Sequence, residues 1–276
     1  MNNIFHIACN TMREAVRDKI FYLILAFALI LVGASRAIGW ISVGEMERVV
    51  KDFSLAIISL FGALIAVFMG ASLIYKEIEK RTIYTILSKP VRRWEFIFGK
   101  FAGLAAILST VVTALGGLTA LFVKFAIGGS IDLIFCQAVA LCLAELLLVT
   151  AMAVLFSTVA SPILSAVFTF CSYMVGQVTP SLMEVVNFEP VKESMAAKTG
   201  ESLTDLMSAT HWFMAPLSKL LYLILPNLTY FSRARNAAAN GEPLTWGEFG
   251  LSLEYAACYV TATLVLAALA FQRKKF

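Results

Sequence analysis

Charge is scarce in this chain. Only 14% of its 276 residues are Asp, Glu, Lys or Arg, against the roughly 25% that a soluble domain carries. Hydrophobic residues make up 60% and mean hydropathy is +0.83, which excludes a soluble globular domain. Histidine is nearly missing, with two in the chain, and neither H-E-x-x-H nor G-x-S-x-G occurs. Zinc-dependent and serine hydrolases therefore lack their residues. No G-x-x-x-x-G-K-[ST] occurs either; Gly99-Lys100 has no upstream glycine and no following hydroxyl. The chain cannot cradle ATP phosphates by that route. Asp132 is the one aspartate near a span interior and sits at a helix end, so an intramembrane aspartyl protease is excluded. The five cysteines (Cys9, Cys136, Cys142, Cys171 and Cys258) are odd in number and form no C-x-x-C. Buried, unpaired thiols are expected rather than disulfides or a metal cluster. The net charge of +4 gathers beside apolar runs, which indicates orientation in a membrane and not binding to nucleic acid. The chain reads as no enzyme, with no cofactor or metal of its own.

What is present is hydrocarbon in long runs. A spanning helix needs about 20 mostly apolar residues, because its backbone finds no water in the bilayer. Six segments qualify: 20–40, 53–75, 96–125, 131–156, 162–178 and 250–271. The fifth is short and fenced by Pro162 and Pro180. With the N-terminus inside, thirteen of the 22 lysines and arginines fall in residues 1–19, 76–100 and 272–276. The positive-inside bias thus places both termini in the cytoplasm of a cell bounded by an inner membrane. The expected fold is all-α and polytopic, one transmembrane domain over residues 1–276 with six spans.

Three segments lie outside the spans. In residues 1–19, Phe5, Ala8, Met12, Ala15 and Val16 recur at helical spacing, while His6, Asn10, Arg13, Glu14 and Arg17 fill the other arc. That pattern predicts an amphipathic helix on the membrane surface, uncleaved and turning into the first span. Residues 181–249 form a modest external segment. Within it, Trp212–Leu225 is too short for a span, contains Pro216 and Lys219, and reads as an interfacial helix before the last span.

The third segment, 74–103, is the densest in chemistry. It holds Lys76, Lys80, Arg81, Lys89, Arg92, Arg93 and Lys100 beside Glu77, Glu79 and Glu95. Span two is predicted to run on as a helix over 73–88, with Ile74, Ile78, Thr82 and Ile86 on one face. Pro90 ends it by forcing Lys89 out of helical geometry. The result is a stiff basic knob joined to two spans, suited to gripping a soluble partner. An ordinary positive-inside loop needs neither the glutamates nor the ordered apolar face.

Glu-x-Glu-x-x-Thr (Glu77, Glu79, Thr82), then Leu87-Ser88-Lys89-Pro90, Arg92/Arg93 and Phe96-x-x-Gly99-Lys100 resemble the hallmark stretch of ABC-2 type transporter permeases. The likeness is greatest to the branch with nitrous-oxide-reductase maturation and gliding-motility permeases. The run 11–17, with Arg13, Glu14 and Arg17, is similar to that family's elbow helix, and Leu225-Pro226-Asn227 to its pattern before span six. The resemblance implies the membrane subunit of an ATP-binding-cassette exporter, paired with a second copy of itself. ATP and Mg would be handled by a separate ATPase subunit. It also implies that 76–96 docks on that ATPase through Glu77, Glu79, Thr82, Leu87, Pro90, Arg92 and Arg93.

Inside the spans, Glu145 stands among leucines near the centre of span four. An ionised carboxylate there must face the bundle interior, be protonated or find a partner. Contact with substrate or proton carriage, and a structural hydrogen bond to a neighbouring Ser or Thr, both stay open. Gly99-x-x-x-Gly103 allows close helix contact, expected within one chain rather than between copies. Met207, His211 and Met214 fall on one helical face, where soft ligands suit copper, but methionines at that spacing ordinarily face lipid or core. Two rival readings remain: a self-sufficient secondary transporter or channel using Glu145, and a membrane scaffold that recruits a soluble partner. The cargo is not legible.

Overall fold

The computed structural model describes residues 2–39, 46–79, 92–129, 132–186, 225–240 and 244–273. They form eight α-helices and, among the described residues, no strand. In chain order these are α1 (Asn2–Val16), α2 (Lys19–Gly39), α3 (Met46–Glu79), α4 (Arg93–Phe122), α5 (Leu133–Val159), α6 (Pro162–Val186), α7 (Thr229–Asn240) and α8 (Trp246–Arg273). A π-helical turn, Val123–Ile127, ends α4 and closes at Gly128 with φ +75°.

Each of the six expected apolar segments holds a helix among its described residues. Met46–Ser72, Trp94–Phe125, Leu133–Val159 and Trp246–Arg273 are long and apolar enough to cross a membrane, and Lys19–Ala34 and Pro162–Val178 are shorter apolar stretches. The protein is therefore an all-helical, multi-pass membrane protein. The expected interfacial helix over 212–225 lies, apart from its last residue, outside the described residues. So do Met207, His211 and Met214.

The described chain separates into two units, residues 1–170 with 231–276, and residues 171–230. In the larger, α5 is the central post. Between Leu141 and Val154 only Leu143 and Leu147 escape full burial, and α3, α4 and α8 all pack on it. Lipid is as apolar as leucine, so small residues that let backbones close up decide where such helices meet. On α3 these are Ser59, Gly62, Ala66 and Gly70, which fall on one side of the helix. A Cβ on Gly70 would come within 2.5 Å of Ala153 Cβ on α5. Hydroxyls on α4 and α5 mostly bond back to their own helix, as in Thr119 to Leu115 and Thr150 to Leu146. They are thereby spared exposure to hydrocarbon. Within the smaller unit, the Leu228 N–H donates to the Gly176 carbonyl at 3.2 Å.

Candidate functional site

Three polar side chains from three helices converge inside the larger unit. Ser59 lies at the middle of the apolar stretch of α3, and Glu145 near the middle of α5. The third, Arg235, comes from α7. The Arg235 guanidinium donates from Nη1 to Glu145 Oε2 at 2.5 Å and to Ser59 Oγ at 2.8 Å. The Ser59 hydroxyl lies 3.3 Å from both Glu145 oxygens and donates to one at a time. Glu145 is 0% exposed and the Arg235 side chain 12%. The carboxylate thus meets the demand that the sequence places on it, by pairing with a cation and accepting from a hydroxyl. Ion pairs this deep contribute little net stability against an apolar replacement, but stranding one partner costs about 3–5 kcal/mol.

Sequence reading finds Glu145 and anticipates a hydroxyl partner, but it misses Arg235 altogether. The residue lies in the stretch 181–249, read as an external segment. That stretch supplies a described twelve-residue helix whose Phe231, Ala234, Ala237 and Ala238 are buried. Ala238 joins Leu55, Phe135 and Ala138 in one apolar cluster. Asn227 opens the helix by accepting the Thr229 N–H at 3.1 Å, a local turn that favours a helix start. The available signal was the spacing 231, 234, 237, 238, diluted by arginines and asparagines on the remaining faces.

A second contact stands at the start of α4. The amphipathic α1 lies along α4, and Gly99 and Gly103 form its seat. A Cβ on Gly103 would fall 2.6 Å from Thr11 Cβ and 2.7 Å from the Ala8 carbonyl oxygen; one on Gly99 would fall 2.8 Å from Ile7 Cβ. Gly99-x-x-x-Gly103 therefore packs helices within one chain. Between the glycines Lys100 is buried, its Nζ 3.5 Å from Glu14 Oε2 and 5.8 Å from the centroid of the Phe96 ring. Phe96 stacks on Phe271 near the end of α8, centroids 5.7 Å apart. Arg13 on α1 and Arg17 in the turn after it are exposed.

The expected docking residues fall in part outside the described residues: Thr82, Leu87 and Pro90 are among those, and for Glu77, Glu79 and Arg93 only the helical backbone is described. Arg92 precedes α4 with its side chain exposed, and its N–H donates to the Glu95 carboxylate at 3.1 Å. That bond satisfies one donor at the helix start. At the far end of the bundle, Lys51 is buried and pairs with Glu47 at 2.6 Å and Asp132 at 3.2 Å. An apolar groove of about 560 Å³ runs between the start of α2, α3 and α6, walled by Leu64, Val67, Phe68, Ile163 and Phe170. Among the described residues, no three His, Cys, Asp or Glu side chains gather as a metal site.

A bundle of apolar helices with a charge pair buried inside it is the build of a polytopic membrane protein. The family follows from the whole length of the chain: residues 5–276 match the model of the ABC-2 family transporter proteins, and the chain belongs to that family. No curated protein matches the chain. Membership makes this a membrane transport component, of the kind that works as the permease subunit of an ABC transporter and pairs with an ABC ATPase.

Proposed function

We propose that this chain is the permease of an exporter in the inner membrane, working as a homodimer with two copies of a separate ATPase subunit. Both termini are cytoplasmic and six helices span the bilayer. Residues 76–96 dock on the ATPase, and ATP and Mg act there rather than in this chain. The branch containing nitrous-oxide-reductase maturation and gliding-motility permeases is the one it most resembles.

The family match over residues 5–276 carries this reading, and the packing at one end of α4 supports it. The segment 80–91 is bounded by α3 and α4, and α4 is in turn clasped by α1 through Gly99, Gly103 and the Lys100–Glu14 pair. A push on 76–96 is thus delivered to two spans and an interfacial helix together. Rigid tilting of packed helices is the ordinary way such a push changes which side a pathway faces. The test is co-purification from solubilised membranes of the full-length chain co-expressed with its ATPase. Replacing Glu79→Ala and Arg92→Ala together should abolish recovery of the ATPase while the permease stays in the membrane. Undiminished recovery would overturn the docking role of 76–96.

A further inference from the structure

Three helices end together on the side of the bundle that carries α1. There α2 begins at Lys19, the apolar stretch of α3 finishes at Ser72, and α6 begins at Pro162. Between them opens the groove of about 560 Å³, all of it within the larger unit. Leu64 and Phe170 line it eight residues from Ser72 and Pro162, so it reaches about 12 Å along the helices. Its walls are uncovered hydrocarbon, with Ile163 80% exposed and Phe68 47%. Its mouth is polar: Asp18 and Ser72 line the groove and also a small cavity under α1, shared with Thr11 and Glu14. The exposed Phe5, Met12 and Val16 fall on one face of α1, which sets the mouth at the level of lipid headgroups.

The charges at this mouth are not alike. The acidic groups are engaged within the chain: Glu14 faces Lys100 at 3.5 Å, and Asp18 accepts the Ile20 N–H at 3.0 Å. Arg17 and Lys19, on either side of Asp18, are exposed. The ion pairs among the described residues include neither. A hydrocarbon slot thus lies beneath a rim with two unclaimed cations.

We propose that the groove holds one anionic phospholipid of the leaflet that borders α1, with an acyl chain between α3 and α6 and its phosphate against Arg17 and Lys19. Lipid tails are as apolar as leucine, so hydrocarbon contact alone does not favour one lipid over its neighbours. Selection comes from the rim, where each cation raises the affinity for an anionic headgroup roughly fivefold. A spanning helix of a second copy is a poorer occupant. With its side chains a helix fills about 500 Å³ per turn, so the groove admits about one turn of it, whereas a single hydrocarbon chain lies along its length. The lipid sits there whatever the chain transports.

The experiment uses the full-length chain in phosphatidylcholine vesicles with a trace of either phosphatidylglycerol or phosphatidylcholine carrying a diazirine along one acyl chain. Photolabelled peptides are then quantified by mass spectrometry. The reference is residues 262–270 of α8, where Val265, Leu266 and Leu269 are exposed hydrocarbon. The phosphatidylglycerol probe should label residues 64–72 and 162–170 roughly fivefold or more above that reference, and the phosphatidylcholine probe should not. Equal labelling of groove and reference by phosphatidylglycerol would overturn the site, leaving bulk lipid only. Arg17→Gln with Lys19→Gln should bring the two probes level in the groove and leave the reference unchanged; a surviving preference would overturn the role of the rim. Ala166→Trp, which fills the groove from α6, should remove the excess labelling, and its persistence would place the acyl chain elsewhere. Cross-linking of Val167→Cys between two copies, with no label on 162–170, would give the groove to a second copy and overturn the lipid. No ATPase is present, so this test and the co-purification test fail separately.

Discussion

The α1–α4 contact and the α5–α7 contact each pair a buried cation with a carboxylate, yet they are held in different ways. Lys100 is buried, but Glu14 is 39% exposed at 3.5 Å, and the close seating comes from Gly99 and Gly103. At α5–α7 the carboxylate itself is fully buried and the guanidinium sits against it, while the packing face is mostly alanine. The first contact is shape with a charge at its edge. The second is charge with modest shape. The difference predicts that the two contacts break in different ways.

The largest effect is expected from breaking the second contact. Glu145→Ala leaves Arg235 buried without its carboxylate and should destabilise the chain by about 3–5 kcal/mol. Heating the detergent-solubilised protein and following the monodisperse fraction by size exclusion checks this. Glu145→Gln with Arg235→Met should recover most of that loss, because no charge is stranded. If the double variant is no better than Glu145→Ala, the charge pair is not what decides stability at this position.

The first contact should break by shape instead. Gly103→Leu drives a side chain into Thr11 and the backbone of Ala8, which cannot rotate away. Overpacking of this kind costs about 1–3 kcal/mol. Proteolysis of α1 in vesicles should accelerate, while Gly117→Leu, at a position with nothing within 4 Å, should leave it unchanged. Equal proteolysis in the two variants would mean that α1 is not seated by Gly103.

How far each contact could be read from the sequence follows from the same difference. The glycine seat is written in adjacent residues: Gly99-Lys100-x-x-Gly103 at helical spacing, and an amphipathic run at 2–16 that needs a partner. Helix type, too, was legible wherever the apolar run was long, since hydrocarbon length leaves the backbone one choice. Arg235 was not legible. Its helix has four buried apolar positions in twelve residues, and its partners are 90 and 176 residues away. A stretch with Arg233, Arg235, Asn236 and Asn240 carries no long apolar run, and nothing in it names the carboxylate that the bundle supplies. Glu145 flagged that a partner was needed and gave no direction in which to look. The start of α3 at Met46 lies before the apolar run from 53, because Glu47, Lys51 and Asp52 interrupt hydrocarbon there, and Asp132 is brought alongside Lys51 only by the fold.

Edge charge in the first contact predicts a smaller effect than shape. Glu14→Gln removes the carboxylate facing Lys100, but Glu14 is partly solvated and water replaces part of what is lost. At most about 1 kcal/mol should disappear, with α1 still seated by the same proteolysis assay. A loss as large as that of Gly103→Leu would place the Lys100–Glu14 pair, rather than the glycines, at the centre of the α1 contact.

The smallest effect is expected at the far end of the bundle, where a third cation tests whether burial of the carboxylate is the variable that matters. Lys51 is as buried as Arg235, but its partners Glu47 and Asp132 are 36% and 50% exposed. If the depth of the cation governed stability, Asp132→Asn would rival Glu145→Ala. If the depth of the carboxylate governs it, Lys51 keeps Glu47 at 2.6 Å and the change should be within about 0–1 kcal/mol. Salt discriminates further, because exposed pairs are screened over about 8 Å at physiological ionic strength whereas buried ones are not. The stability difference between wild type and Asp132→Asn should shrink as salt is raised, and that between wild type and Glu145→Ala should persist. A salt-insensitive loss of several kcal/mol at Asp132 would erase the distinction between the two kinds of contact.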